Sequence, residues 1–277
     1  MPAPLSRVRA MERNSMIGVS GAFSRVLSEF RGGVCGEFMA LLARRVPWRY
    51  WGRYWRFGAV VNAGLLFLAL ASPAPAAELP RLVLLGDSLV AGYGLPEAEA
   101  FPAVLERALA EAGRLATVIN AGVSGDTTAG GKARLAWMLA DRPDAAVVEL
   151  GANDGLRGID PAETRANLDT ILTQLSVAGV PALLAGMYAP PNLGREYGAE
   201  FDAIYPDLAR VHGAALYPFF LEGVAMEAGL NQADGIHPNA QGVERIVAAI
   251  LPYVLALLDE ADSAGADSAG ADSAGAD

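Results

Sequence analysis

The stretch RLVLLGDSLVAGYG, residues 81–94, joins a short apolar run to a glycine-rich turn. A continuous apolar run that ends in a glycine, here Gly86, is typical of a buried strand in a parallel sheet. Ser88 would then begin the next element, where unpaired backbone N–H groups can face a developing anion. Two interpretations stay open for Ser88: it is a nucleophile, or it is a helix N-cap. We expect Asp87 to be a capping residue.

The same pattern recurs along the middle of the chain, where short apolar runs alternate with longer stretches of helical spacing. The predicted strands cover residues 81–86, 115–122, 144–151, 180–187 and 214–219, and the clearest helices cover 100–111, 161–178 and 242–258. This alternation predicts an α/β fold, a three-layer α/β/α sandwich around a flavodoxin-like, five-stranded parallel sheet. Because ligands of such sheets bind at the carboxyl ends of the strands, the candidate site lies there.

Two further turns follow predicted strands and carry possible hydrogen-bond donors. Gly122, in the stretch NAGVSGDT, could present an unobstructed N–H to a substrate oxygen. Asn153, in GANDG, carries an amide that can donate into the crevice, and we expect its neighbour Asp154 to be structural. Glycine with asparagine or aspartate is also ordinary turn chemistry, so each signal is weak alone.

The stretch DGIHP holds Asp234 and His237 three residues apart, shortly before the last predicted helix. A fold-back there would let the carboxylate hold Nδ1 of the imidazole and leave Nε2 free to act as a base. The chain has two histidines, and His212 precedes a glycine at a predicted helix end, where a surface role is expected. A serine, two donors and an Asp–His pair after different strands are what acyl transfer requires.

At these residues the sequence resembles the GDSL, or SGNH, hydrolase superfamily, whose four letters correspond to Ser88, Gly122, Asn153 and His237. The stretches GDSLVAGYGL, NAGVSGDTTAGG, GANDGLRG and DGIHPN are similar to the bacterial branch with acyl-CoA thioesterase, lysophospholipase and arylesterase activities. The resemblance spans roughly residues 81–258. It implies an acyl-enzyme on Ser88, an Asp234–His237 pair, an oxyanion hole of Ser88, Gly122 and Asn153, and no metal or organic cofactor.

The substrate is expected to be a small-molecule or lipid ester. Two segments that follow the third and fourth strands are predicted to line the acyl pocket, through Leu156, Arg157, Gly158, Ile159, Tyr188 and Pro190. A carbohydrate acetyl esterase with the same triad stays open as an alternative. A nucleotide-binding module is disfavoured because GYGLPE lacks the third glycine of the dinucleotide fingerprint. A binding protein without activity is disfavoured because the triad is intact.

The charge of the chain is unevenly distributed. Residues 1–77 hold ten arginines and three glutamates, whereas the net charge of the whole chain is −10. The acidic remainder argues against a nucleic-acid partner, since phosphate contacts need basic side chains. The one cysteine, Cys35, excludes an intramolecular disulfide.

Both ends of the chain differ from the predicted hydrolase domain, residues 78–260. Residues 1–77 contain an apolar core at about 57–71, preceded by arginines and followed by small residues near Ala76, which is the layout of a secretory signal. We therefore expect export, to the periplasm, without stable membrane insertion after cleavage; an uncleaved membrane anchor is the alternative. Residues 261–277 repeat Ala-Asp-Ser-Ala-Gly and predict a disordered acidic tail.

Overall fold

The computed structural model describes residues 78–274, and the expected secretory signal lies outside the described residues. Five parallel strands form one sheet in the order β2-β1-β3-β4-β5, which is the flavodoxin-like order. Their bounds are Arg81–Gly86 (β1), Thr117–Gly122 (β2), Ala145–Glu149 (β3), Ala182–Ala185 (β4) and Ala215–Tyr217 (β5). Strands β1, β3 and β4 are almost wholly buried, as their continuous apolar sequence requires. The predicted sheet is thus confirmed.

Helices cover both faces of this sheet. In chain order they are Ser88–Ala91 (α1), Phe101–Glu111 (α2), Thr128–Leu139 (α3), Ala152–Leu156 (α4), Pro161–Val177 (α5), Arg195–Asp202 (α6), Ile204–His212 (α7) and Ala240–Ala274 (α8). Helix α8 packs against α2, and α5 packs against α3 and α7. Two short 3₁₀ turns, Glu97–Glu99 and Pro191–Leu193, complete the described elements. The three-layer sandwich matches the predicted class.

Helix α3 is one of the helices that the sequence pattern does not reveal. Its first turns contain Gly130 and Gly131, which lower helix propensity. A Cβ on Gly131 would lie 2.3 Å from Leu150 Cδ1, so the glycine allows the helix to approach the end of β3. The Thr127 side chain caps the helix by accepting a hydrogen bond from the Gly130 N–H. Packing and capping therefore outweigh propensity here.

Helix α8 continues through residues 261–274, where the sequence predicts a disordered tail. Ala261 is buried, and Asp262 pairs with Arg114 at 2.6 Å. Alanine, the best helix former, occupies two of every five positions of the repeat, so the last helix can propagate. Within the described residues, Ala240–Gly265 is long and apolar enough to cross a membrane. Its apolar residues include Val243, Ile250 and Val254 of the buried core.

Candidate active site

The serine, the histidine and the second aspartate of the candidate site form a continuous chain of hydrogen bonds. Ser88 Oγ lies 2.9 Å from His237 Nε2, and His237 Nδ1 lies 2.7 Å from Asp234 Oδ2. Ser88 is the first residue of α1 and follows the carboxyl end of β1 directly. The N-cap is Asp87, whose side chain accepts from the Leu89 N–H. Ser88 is therefore not the cap, and its hydroxyl can face the imidazole.

The loop that carries the Asp–His pair folds back on itself as expected. Asp234 Oδ1 accepts hydrogen bonds from the backbone N–H groups of His237 and Ile236, both at 3.0 Å. These two bonds, together with the imidazole contact, lower the pKa of Asp234 to about 2. The carboxylate thus stays ionised at any pH at which the enzyme would work, and it holds Nδ1 of the ring.

Ser88 and Asn153 each keep a hydrogen-bond donor without an acceptor in the described part of the chain. As the first helical residue, Ser88 has no intrahelical acceptor for its N–H. The Asn153 side chain lies in α4, which follows β3, and its Nδ2 donates one hydrogen to Asp87 Oδ2 at 2.9 Å. An amide nitrogen carries two hydrogens, so the second remains available. Asp87 therefore orients the amide of Asn153.

The expectation of an unobstructed N–H on Gly122 is wrong. That N–H donates to Asn120 Oδ1 at 2.9 Å, and both residues lie at the end of β2. A Cβ on Gly122 would lie 2.3 Å from the backbone nitrogen of Ala91, so this glycine serves the close approach of β2 to α1. Gly125, three residues on, has a φ of +83° and no acceptor for its N–H within the described part of the chain. Sequence reasoning missed Gly125. The available signal was its position: it lies beyond the end of the strand, between Ser124 and Asp126, in a loop that can face the site.

Two buried carboxyl groups lie behind Ser88. Asp87 and Glu149 are both fully buried, and Glu149 Oε2 accepts from the Asp87 N–H at 3.3 Å. Burial, and then the charge of Asp87, raise the pKa of Glu149 well above its ordinary value. Burial also raises the pKa of Asp87, but the Leu89 N–H and the Asn153 amide favour its charged form. We therefore assign the proton to Glu149 and the negative charge to Asp87.

Arg134 of α3 connects the turns that surround Ser88. Its guanidinium donates to the Gly86 carbonyl at 2.9 Å, to the Ala121 carbonyl at 2.6 Å and to Asp126 Oδ2 at 2.7 Å. These three acceptors lie at the end of β1, at the end of β2 and in the loop that carries Gly125. The planar guanidinium can donate to three acceptors in these directions at once, whereas the compact ammonium group of a lysine cannot. Arg134 therefore fixes both strand ends relative to each other.

The segments predicted to line the acyl pocket lie after β3 and β4, as the fold requires. Leu156 and Tyr188 are exposed, and the Tyr188 ring packs on Phe219 with centroids 4.5 Å apart. Arg157 donates to the Gly125 carbonyl at 2.7 Å. The remaining members of the set, Gly158, Ile159 and Pro190, are exposed or half-buried.

Two residues that sequence reasoning set apart from catalysis have structural contacts. His212 lies in the last turn of α7 and contacts Asp169 at 2.7 Å. Asp154 is buried and accepts from the Thr128 N–H and from the hydroxyls of Thr128 and Thr164. Among residues 78–274, no group of three or more His, Cys, Asp or Glu side chains could hold a metal ion.

Comparison with known proteins places this geometry in a family. The sequence pattern of the GDSL-like Lipase/Acylhydrolase family matches residues 84–245. The chain belongs to this family. Esterase TesA of Pseudomonas aeruginosa is 41% identical over 201 residues, which cover 72% of this chain and 99% of that protein.

Other members agree with this assignment in sequence and in structure. The Escherichia coli (strain K12) protein named thioesterase 1/protease 1/lysophospholipase L1 is 43% identical over 175 residues, covering 63% of this chain and 82% of its own. The crystal structure of AlinE4, an SGNH-hydrolase family esterase, superposes with a TM-score of 0.56 at 51% identity. It covers 66% of this chain and 98% of AlinE4. The fold is therefore the SGNH-hydrolase fold.

Proposed function

We propose that this GDSL-family hydrolase cleaves carboxylic esters and thioesters through an acyl-enzyme on Ser88. The hydrogen-bonded chain from Ser88 through His237 to Asp234 is the observation that supports the proposal most. His237 Nε2 takes the hydroxyl proton while Ser88 Oγ attacks the carbonyl carbon. The imidazolium then gives this proton to the leaving alcohol or thiol. A water molecule repeats the sequence on the acyl-enzyme and releases the acid.

The tetrahedral intermediate carries a negative charge that needs hydrogen-bond donors. We assign this role to the Ser88 N–H and the Asn153 amide, with the Gly125 N–H as the third donor in place of Gly122. All three follow the carboxyl ends of neighbouring strands, β1, β3 and β2 respectively. Preorganised donors of this kind stabilise the oxyanion without reorganisation during the reaction.

The proposed substrates are aryl esters, lysophospholipids and acyl thioesters, of which oxyesters are favoured if the chain is exported. The exposed Leu156 and the Tyr188–Phe219 pair offer apolar surface for an acyl chain. The proposal of export depends on the apolar core at about residues 57–71. It predicts that the mature protein in a periplasmic fraction begins near residue 77. A membrane-bound protein that retains Met1 would support the anchor instead.

The test of the reaction is a series of p-nitrophenyl esters from acetate to long acyl chains. Ser88→Ala is expected to abolish turnover, whereas Ser176→Ala, an exposed serine on α5, is expected to match the wild type. Hydrolysis that persists in Ser88→Ala would overturn the mechanism. A sharp preference of the wild type for acetate would instead favour a carbohydrate acetyl esterase.

A further inference from the structure

Two loops meet at the proposed catalytic pair and come from distant parts of the chain. The nucleophile loop, residues 88–94, contains α1 and the turn after it. The base loop, residues 231–239, contains the Asp–His pair. The Ser88–His237 hydrogen bond spans 149 positions of sequence. Its length therefore depends on how the two loops are held together.

Gln232 of the base loop connects the two loops. Its Nε2 donates to the Tyr93 carbonyl of the nucleophile loop at 2.7 Å and to the Pro238 carbonyl of the base loop at 2.9 Å. Both acceptors are carbonyl oxygens, which fixes the orientation of the amide because only the NH₂ group can donate. Apart from the Ser88–His237 bond, this is the one hydrogen bond between the two loops in the described part of the chain.

The backbone of Gln232 also holds the histidine directly. Its N–H donates to the His237 carbonyl at 2.7 Å, and Asn231 and Pro238 form an antiparallel bridge beside it. The base loop is thus closed on itself, and the Asn231 side chain also ties it to the Val224 and Glu227 carbonyls, which lie outside both loops. None of these bonds reaches the nucleophile loop, whereas the Gln232 side chain does.

Two neighbours of Gln232 have features that suit this role. A Cβ on Gly94 would lie 2.2 Å from Gln232 Oε1, so the turn after α1 leaves space for the amide only because it has a glycine there. The ring of Tyr93 packs on the His237 ring with centroids 4.5 Å apart. Gln232 therefore binds the backbone carbonyl of Tyr93, the same residue whose ring packs on the imidazole of His237.

We propose that Gln232 is a positioning residue that sets the Ser88–His237 distance. The inference rests on the proposed function, because it matters only if His237 is the base of Ser88. Gln232 lies outside the triad and is argued to act through the two loops. Loss of its amide would let the base loop shift away from Ser88, and small displacements of a catalytic group can reduce turnover by roughly 100-fold.

The test compares Gln232→Leu, which keeps the approximate size of the side chain and removes both donors, with Gln241→Leu. Gln241 is exposed in the first turn of α8 and provides a matched control. Active sites are titrated with a small phosphonylating agent so that turnover refers to competent enzyme. We expect kcat of Gln232→Leu to fall by about 10- to 100-fold with KM within about twofold. The reduction should be the same for every acyl chain length, and Gln241→Leu should match the wild type.

A second variant approaches the same contact from the other loop. Gly94→Ala leaves Gln232 intact but places a methyl group 2.2 Å from its Oε1, in a turn whose φ of +75° disfavours alanine. Both effects displace the Tyr93 carbonyl from the amide, so this variant should reproduce the loss of kcat, and it also serves if Gln232→Leu does not fold. A kcat per titrated site within twofold of the wild type in either variant would overturn the inference. A loss confined to some acyl chains would do the same, since it would assign Gln232 to the substrate pocket. Activity that survives Ser88→Ala would instead overturn the proposed function.

Discussion

The two halves of the candidate site are held in different ways. The serine half is built into the sheet, where the fully buried Asp87 and Glu149 lie directly behind Ser88. The base half is an exposed loop in which Asp234 is ordered by backbone N–H groups and His237 by the backbone of Gln232. Removal of a contact in the serine half should therefore affect stability strongly, whereas changes in the exposed base half should affect activity much more than stability.

The largest effect that separates the halves is expected from Asp234→Asn. An asparagine keeps the size of the side chain but favours the wrong tautomer of His237, a change that costs on the order of 10⁴ in kcat in serine proteases. Because Asp234 is exposed, the melting temperature should stay within a few degrees of the wild type. Ester hydrolysis per titrated site and a thermal melt measure both quantities. A loss of less than tenfold would show that the carboxylate does not hold the base.

Asn153→Ala should affect both quantities, since Asn153 belongs to the serine half. Removal of an oxyanion donor lowers kcat by about 100- to 1000-fold. The variant also removes the side-chain amide that binds the buried Asp87, which should lower the free energy of unfolding by about 1–3 kcal/mol. Kinetics and urea unfolding of the same preparation test the pair of effects. Unchanged stability would mean that water replaces the amide at Asp87.

The division between the halves also bears on what the sequence can predict. The strands are predicted from local patterns, namely apolar runs that end in glycine turns. The Asp–His contact is predicted from the spacing of three residues within one segment. The buried pair of Asp87 and Glu149 depends on two strands that lie side by side only after folding. Sequence reasoning correctly gave Asp87 a capping role but had no basis for pairing it with Glu149.

The donors after β2 show the same limit on a smaller scale. Gly122 ends β2 and Gly125 lies in the loop three residues later, and the sequence NAGVSGDT does not show which of the two N–H groups is free. The distinction comes from the Asn120 side chain, which takes the Gly122 N–H, and from the contact of Gly122 with α1. Likewise, the glycines of α3 weaken the helical signal in the sequence, and only the packing of Gly131 on Leu150 explains why they are there.

Arg134→Lys is expected to have a smaller effect than either change above. A lysine keeps the charge but cannot reach the Gly86 carbonyl, the Ala121 carbonyl and Asp126 together. The turn that carries Gly125 would become less ordered, and we expect roughly a tenfold loss of kcat. Arg210→Lys, on the exposed side of α7, provides the control. If turnover is unchanged, the two strand ends are fixed by the sheet alone.

Glu149→Gln should have the smallest effect on turnover at neutral pH and a distinctive effect on stability. Burial raises the pKa of Glu149 well above 4.5, so the folded protein keeps a proton that the unfolded chain releases. The contribution of Glu149 to the free energy of unfolding is fully present below about pH 4.5. It decreases as the pH rises towards the raised pKa, by about 1.4 kcal/mol per pH unit for one proton. Glutamine mimics the protonated acid and has no such dependence.

From about pH 4.5 upwards, the free energy of unfolding of Glu149→Gln should therefore increase relative to that of the wild type. The depressed pKa of Asp234 has the opposite sign, because its stabilising effect is lost only as the pH falls towards 2. Denaturant unfolding of both proteins between pH 4 and 8 separates the two groups. A constant difference across that range would mean that the folded protein keeps no proton on the Asp87–Glu149 pair, and the assignment of a proton to Glu149 would be wrong.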